Sequence, residues 1–207
     1  MDNSEKYWDK RSNKYDKQTK RYGQTYIRTI ENTKKHLTMS DVVLDYACGT
    51  GNITNEIADN VKEIHAIDIS AKMLDIAKRK AGERKIENIN FAQSTIFDET
   101  YQKESFHVIL VFNVLHLLAD PQKVIRRINE LLKPGGLFIS ATGCLGEKKT
   151  FSNIFFLLLS KVGMVPFIKF FKISELEDLI TNENFQIVET ENLYHTPPNY
   201  FIVAKKI

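Results

Sequence analysis

The stretch Val42–Asn52 constrains the fold of this chain more than any other. It reads V-V-L-D-Y-A-C-G-T-G-N, which predicts a short apolar strand that meets an acid, Asp45, and then a tight turn of small residues. Ile53, Ile57 and Ala58 follow at helix spacing. Glycine tolerates the positive φ that such turns need, and the free N–H groups at the start of a helix point into the turn. The sequence therefore predicts a ligand crevice at the carboxyl end of a first strand.

Short apolar strands alternate with helices along the rest of the chain. The segment Glu63–Ser70 holds a strand that ends in the acid Asp68, and Phe106–Phe112 is the near-continuous apolar run typical of a strand covered on both faces. The other predicted strands are Asn88–Ala92, Leu137–Ala141, Phe185–Leu193 and Tyr200–Ala204. This alternation predicts a doubly wound α/β fold with a mostly parallel, seven-stranded sheet. The last two strands are too close in sequence for a crossover helix and should pair antiparallel.

Helical patterns fill the segments between these strands. Two helices, broken at Gly23, precede the first strand over about Ser4–Leu37, and they either pack on the sheet domain or cover its ligand. Ser70 is a good N-cap for a helix over Ala71–Ala81, which leaves Asp68 without a local partner and available to a ligand. Further predicted helices are Gln122–Leu132 and one that is capped by Ser174 with Glu177 and runs to about Thr181.

Composition excludes several classes of protein. The 207 residues are 43% hydrophobic and 27% charged, which suits one globular domain, and a net charge of +3 is too weak to indicate a nucleic-acid partner. Cys48 and Cys144 form no C-x-x-C pair and lie in no His/Cys cluster, so we expect no metal and a reducing compartment. The N-terminus does not resemble a secretory signal, and no uncharged run could span a bilayer, so we expect a cytoplasmic protein.

Four motifs in the right order resemble the class I S-adenosylmethionine-dependent methyltransferases, in particular their small-molecule branch. Asp45–Gly51 (D-Y-A-C-G-T-G) is similar to the family's D-x-G-x-G-x-G loop, and Asp68 to its ribose-binding acid. Leu131–Gly136 (L-L-K-P-G-G) is similar to the L-K-P-G-G before its fifth strand, and Val114–His116 to the V-L-H after its fourth. The resemblance covers about Ser40–Ala141 closely. It implies S-adenosylmethionine as the cofactor and S-adenosylhomocysteine as the product.

The resemblance also implies which residues bind the cofactor. They lie in the loop and at the ends of the strands that follow: Asp45, Ala47, Cys48, Gly49, Gly51, Asp68, Ile69, Thr95, Ile96 and Phe112. Three positions depart from the family pattern. Ala47 replaces the first glycine of the loop, Thr95 stands where many members carry an acid that reaches the adenine amine, and His107 replaces an acid at the start of the fourth strand.

The family's domain plan can be laid over this chain. It gives one methyltransferase domain with an N-terminal helical cap (1–38), a cofactor-binding core (40–142), a substrate cover (143–184) and closing antiparallel strands (185–207). The reaction is an in-line displacement, in which alignment supplies much of the rate and a general base is optional. The candidate catalytic residues are His116 and Asn113, and the candidate substrate-binding residues are Tyr7, Tyr15, Phe155 and Phe167.

The segment Phe151–Phe171 is more apolar than a simple helix needs. It predicts an apolar acceptor pocket, a dimer contact or a peripheral membrane-docking surface at residues 151–171. We therefore expect a small apolar acceptor and a monomer or homodimer. No nucleic-acid substrate is expected, because the N/D-P-P-Y/F motif of exocyclic-amine methyltransferases is replaced by F-N-V-L after the fourth strand.

Other functions compete with this interpretation. A dinucleotide-dependent dehydrogenase needs G-x-G-x-x-G/A, but Gly49–Thr54 lacks the third small residue and the L-K-P-G-G segment stays unexplained. A cofactor-binding or interaction protein with this fold and no catalysis would keep the same loop. A nucleic-acid or protein methyltransferase is the third alternative. Methyl transfer to any acceptor would separate an enzyme from an interaction protein.

Overall fold

The computed structural model describes residues 3–19, 22–147 and 167–207. Its helices are α1 (Asn3–Thr19), α2 (Gly23–Lys34), α3 (Thr54–Ile57), α4 (Ala71–Glu83), α5 (Pro121–Leu131) and α6 (Ile173–Thr181). Its strands are β1 (Val42–Tyr46), β2 (Glu63–Asp68), β3 (Ile89–Gln93), β4 (Phe106–Phe112), β5 (Leu132–Gly143), β6 (Phe185–His195) and β7 (Pro198–Lys206). The predicted break at Gly23 is confirmed, because α2 begins at that residue.

The seven strands form one sheet in the order β3-β2-β1-β4-β5-β7-β6. Strands β1 to β5 are parallel, and β7 is antiparallel to both β5 and β6. The predicted fold class is therefore confirmed. The chain order reverses between β1 and β4, and such a switch point opens a crevice beyond the carboxyl ends of the strands.

The core lies in two layers, one on each face of the sheet. Alternate residues of the central strands point to opposite faces, as in any pleated strand. Leu44 and Ile109 pack on the face covered by α5 and α6, while Val43 and Leu110 pack on the face that holds Ile57 of α3. All five side chains are fully buried, which fixes the strand ends that carry the crevice.

The L-K-P-G-G segment is the start of β5, and α5 ends at Leu131, one residue before the predicted end. A β-carbon on Gly136 would lie 2.9 Å from the carbonyl oxygens of His107 and Lys133, so only glycine fits there. His107 also has a structural role, because its Nδ1 accepts a hydrogen bond from the Val42 N–H at 3.0 Å. It therefore ties β4 to the start of β1.

The predicted capping box of α6 is wrong in position. The helix begins at Ile173, and the Glu175 carboxylate accepts the Lys172 N–H at 3.0 Å, so the cap lies two residues before Ser174 and Glu177. Among the described residues, no helix is long and apolar enough to cross a bilayer.

Candidate active site

The loop after β1 has an unusual backbone that sequence only partly shows. Ala47, Gly49 and Gly51 all have positive φ, at 60°, 57° and 72°. A β-carbon on Gly51 would lie 3.0 Å from the Ala77 β-carbon, so this glycine packs the loop against α4 and does not line a cavity. Gly49 has space on its open side, where the nearest atom to an added β-carbon is in the Tyr15 ring at 3.9 Å. A ligand can therefore approach the backbone at Gly49.

Asp68 ends β2 and is 8% exposed. One carboxylate oxygen accepts the Gly49 N–H at 2.9 Å, and the other accepts the Ser70 N–H at 2.8 Å. Burial raises the pKa of Asp68, and these N–H donors partly offset that rise. Ser70 is the N-cap of α4, as predicted, and accepts the Met73 N–H. The expectation that Asp68 has no local partner is wrong, since its carboxylate also holds the loop in shape.

A cavity of about 550 Å³ lies beyond the ends of the first four strands. Its polar end is lined by Gly49, Asp68 and Thr95, with Ala47 and Ile69 beside them. Its other end is mostly apolar, with the following residues in the wall: Phe97, Val114, Leu117, Leu118, Val124 and Phe167. Two charged residues, Asp120 and Lys123, also line the cavity. A volume of this size is typical of sites for small molecules and cofactors.

A second, small cavity of about 30 Å³ lies behind the loop. Polar groups dominate its wall, which includes Tyr26, Asp45 and Asn52, and the predicted residues Cys48 and Phe112 line this cavity, not the large one. Burial raises the pKa of Asp45 to about 7, against a hydrogen bond from the Thr54 hydroxyl at 2.5 Å that lowers it. Desolvation wins because Asp45 is 3% exposed.

Tyr15 and Asn113 are shared by the walls of both cavities. Tyr15 comes from α1, and Asn113 directly follows β4 with a φ of 57°. The two residues therefore stand at the junction between the small polar cavity and the large one.

Helix α1 is fixed over the loop by its acidic side chains. The Asp16 carboxylate accepts hydrogen bonds from Thr50 Oγ1 at 2.6 Å and Asn52 Nδ2 at 3.0 Å, and it pairs with Lys80 at 2.6 Å. Asp9 accepts from Ser70 Oγ at 2.6 Å. The predicted packing of this appendage on the sheet domain is confirmed, and α1 also places side chains in the cavity wall. Its role as a cover for the ligand stays a prediction.

Several predicted site residues lie elsewhere. Tyr7 is outside both cavity walls, since its ring packs on Trp8 and Arg11, and Trp8 lines the large cavity in its place. Ile96 is fully buried in the core, and the next residue, Phe97, reaches the cavity. Phe155 lies outside the described residues.

His116 does not line either cavity. Its ring lies 4.0 Å from the position of a β-carbon on Gly143, and its Nδ1 atom is buried with no hydrogen-bond partner in the described part of the chain. Burial lowers the pKa of His116 to about 4, so the imidazole is neutral near pH 7. The neighbours Leu117 and Leu118 face the cavity.

Sequence reasoning missed several wall residues. Ser4 and Trp8 join Tyr15 in the large cavity, and these positions share one side of a helix, so the spacing alone could have found them. Met73 and Lys123 come from helices whose inner faces could not be assigned to the crevice. Within the ranges that the structure describes, no group of three or more His, Cys, Asp or Glu could hold a metal ion.

Comparisons with known proteins agree with this geometry. Residues 37–194 match the model of a methyltransferase domain family. The chain is 27% identical over 171 residues to a ubiquinone biosynthesis O-methyltransferase of Coxiella burnetii, covering 80% of this chain and 72% of that protein.

Two solved structures share the fold. One is the geranyl diphosphate C-methyltransferase of Streptomyces coelicolor with Mg²⁺, geranyl-S-thiolodiphosphate and S-adenosyl-L-homocysteine, at a TM-score of 0.69 and 13% identity, covering 83% of this chain and 71% of that one. The other is the [4+2]-cyclase SpnF, at a TM-score of 0.70 and 17% identity, covering 86% and 80%.

Proposed function

Because the chain belongs to the class I S-adenosylmethionine-dependent methyltransferases, we propose that it methylates a hydroxyl group of a small, apolar acceptor. The cofactor is S-adenosylmethionine. The hydroxyl as the accepting group is supported by the Coxiella relative, whose name describes an O-methyltransferase. The observation that carries the proposal is the large cavity, in which a polar end beside Asp68 runs directly into an apolar end.

The residues of the polar end fit the cofactor. The Asp68 carboxylate lies in the wall, and it keeps acceptor capacity for a ribose hydroxyl beyond the backbone N–H groups that it already accepts. The open side of Gly49 lets a ligand approach the backbone, and Ile69 and Thr95 can contact an adenine ring. Asp45 lines the small cavity, where the cationic amino group of the cofactor's methionine part would favour the ionised form of its carboxyl group.

When bound, S-adenosylmethionine would supply a methyl group on a positively charged sulfur. The acceptor oxygen would bond to this carbon as the carbon–sulfur bond breaks. The products would be neutral S-adenosylhomocysteine, the methylated acceptor and a hydroxyl proton that passes to solvent. Tyr15 and Asn113 stand where the two cavities meet and would flank this centre. Alignment of two reactants can supply roughly 7–11 kcal/mol of the barrier. His116 lies outside the walls, and we assign it no proton transfer.

The apolar end would hold the acceptor. Val114, Leu117, Leu118 and Val124 give it apolar wall area, and Phe167 is 51% exposed at its margin. Asp120 and Lys123 also line the cavity, and the Lys123 ammonium lies 5.0 Å from the centre of the Phe97 ring. Burial of apolar area favours an acceptor with a hydrocarbon part, at roughly 25 cal/mol per Å² removed from water. We propose that α1 and α2 act as the cap and residues 143–184 as the acceptor cover. The membrane-docking and dimer roles predicted for 151–171 stay predictions.

Two measurements test this function in sequence. Calorimetric titration should show micromolar binding of S-adenosylmethionine and of S-adenosylhomocysteine. The protein is then incubated with methyl-labelled S-adenosylmethionine and an alkylated catechol, and we expect label in the organic phase. Binding of the cofactor without transfer to catechols, thiols or amines would favour the interaction protein, and the cyclase neighbour shows that this fold also serves other chemistry. No binding by folded protein would refute the proposal.

A further inference from the structure

The side chain of Asn113 is held by a residue from the far end of the chain. Its Oδ1 accepts a hydrogen bond from Asn199 Nδ2 at 2.8 Å. Asn113 follows β4, while Asn199 lies near the start of β7, and β5 runs between these two strands. Two strand spacings separate the residues, about 9.5 Å, so the bond between their amides spans the end of β5.

Both backbones are fixed by β5. The Asn113 N–H donates to the Ala141 carbonyl at 2.7 Å. On the other side, Asn199 is the register partner of Gly143, and the Cys144 N–H donates to the Pro198 carbonyl at 2.8 Å. The amide pair therefore joins two anchored points, and the Asn113 side chain cannot turn without breaking the bond to Asn199.

The bond decides which end of the Asn113 amide meets a ligand. Its oxygen is occupied by Asn199, and no described residue accepts from its N–H₂ group, while Asn113 lines both cavities. If both amides were turned over, Asn113 would donate to Asn199, and the Asn199 N–H₂ group would lie where the Asn199 Oδ1 atom lies now. That position is buried and has no hydrogen-bond partner among the described residues. A buried carbonyl without a partner is tolerated more often than a buried N–H, so the observed orientation is the favoured one.

We propose that Asn199 is a positioning residue that makes Asn113 present a hydrogen-bond donor at the junction of the two cavities. This inference rests on the proposed function, because the donor would there meet the lone pair of the acceptor's hydroxyl oxygen. It also narrows the acceptor class to molecules whose reacting atom can accept a hydrogen bond. Asn199 lines neither cavity, so it would reach a bound ligand through the Asn113 amide to which its side chain donates.

Two variants separate this role from a structural one. Asn199→Ala frees the Asn113 amide, and we expect kcat for an alkylated catechol to fall about tenfold, the value of one hydrogen bond, with an unchanged dissociation constant for S-adenosylmethionine. Asn199→Asp leaves only acceptor atoms at this position, so the Asn113 amide should turn over and present its oxygen. We expect kcat to fall at least as far in this variant, because the donor is replaced by an acceptor.

The control is Asn192→Ala in the neighbouring strand β6, since this asparagine also has a buried Oδ1 without a partner in the described ranges and lies outside both cavity walls. It should keep the wild-type kcat. A second readout needs no turnover. The side-chain N–H₂ signals of Asn113 in a ¹⁵N correlation spectrum, identified by their absence in Asn113→Ala, should shift in both Asn199 variants and stay in place in Asn192→Ala.

Unchanged Asn113 signals in both Asn199 variants would overturn the inference, as would shifted signals with unchanged kcat. An equal fall of kcat in Asn192→Ala would overturn it too, because the effect would then come from lost stability of the antiparallel β6–β7 pair. If the wild type binds S-adenosylmethionine but methylates no catechol, the proposed function fails, and the Asn113 signals still decide whether Asn199 orients this amide.

Discussion

The buried Asp45 should make the stability of this protein fall as the pH rises. Its pKa is raised from 3.8 to about 7 by burial. Between these two values the unfolded chain has lost the proton and the folded chain keeps it, so the free energy of unfolding falls by about 1.4 kcal/mol per pH unit. The stability from this group is complete below pH 3.8 and is lost as the pH passes about 7. The whole effect is about 4 kcal/mol.

Asp45→Asn removes the titration and keeps an oxygen that can accept from Thr54. Urea unfolding of both proteins at about pH 4.5 and pH 7.5 measures the difference. Between these pH values, we expect the free energy of unfolding of the wild type to fall by about 3 kcal/mol more than that of the variant. Asp68, whose pKa is also raised, is present in both proteins, so most of its effect cancels. Parallel curves would refute the assignment of a buried, protonated Asp45.

Three further changes test the loop and the cavity. Ala47→Gly removes the backbone strain of a non-glycine residue at a φ of 60°, so we expect it to stabilise the fold by about 1 kcal/mol and to raise Tm by about 2–4 °C. The reverse change at a neighbouring position, Gly49→Ala, should lower Tm. A lower Tm for Ala47→Gly would show that Ala47 is not strained. Asp68→Asn should weaken the binding of S-adenosylmethionine at least tenfold in calorimetry. Urea unfolding of the variant is the control, because Asp68 also accepts a hydrogen bond from the loop. Unchanged binding would show that Asp68 does not bind the ribose. Phe167→Ala should raise KM for an alkylated catechol several-fold and leave cofactor binding unchanged, and an equal loss of both would indicate a folding defect.

The sheet and the polar part of the site were predictable because they depend on local rules. Carboxyl ends of parallel strands must meet at one edge, so Asp45, Gly49 and Asp68 had to lie close together once their strands were recognised. The role of Ala47 was only half visible. Its small size could be read from sequence, whereas its positive φ depends on how the loop turns from β1 into α3.

The apolar end of the large cavity was less predictable because it depends on how elements rotate against one another. One position along a helix turns a side chain by about 100°, and this step exchanges Tyr7 for Trp8 in the cavity wall. The exchange of Ile96 for Phe97 after β3 has the same character. His116 had a suitable position in sequence, but the short turn at Leu115–Leu117 aims its ring away from the cavity and towards β5.

Asn199 shows why residue type is a weak guide to catalysis in such a site. In sequence it follows two prolines at a turn and suggests nothing beyond the turn. Its role comes from the antiparallel register of β7 on β5, which sets it across from Asn113. Because alignment can supply much of the rate in methyl transfer, residues that hold groups in place matter as well as those with reactive side chains. A side chain of this kind can be found only when the strand order and register are known, since they decide which distant residues meet at the reacting centre.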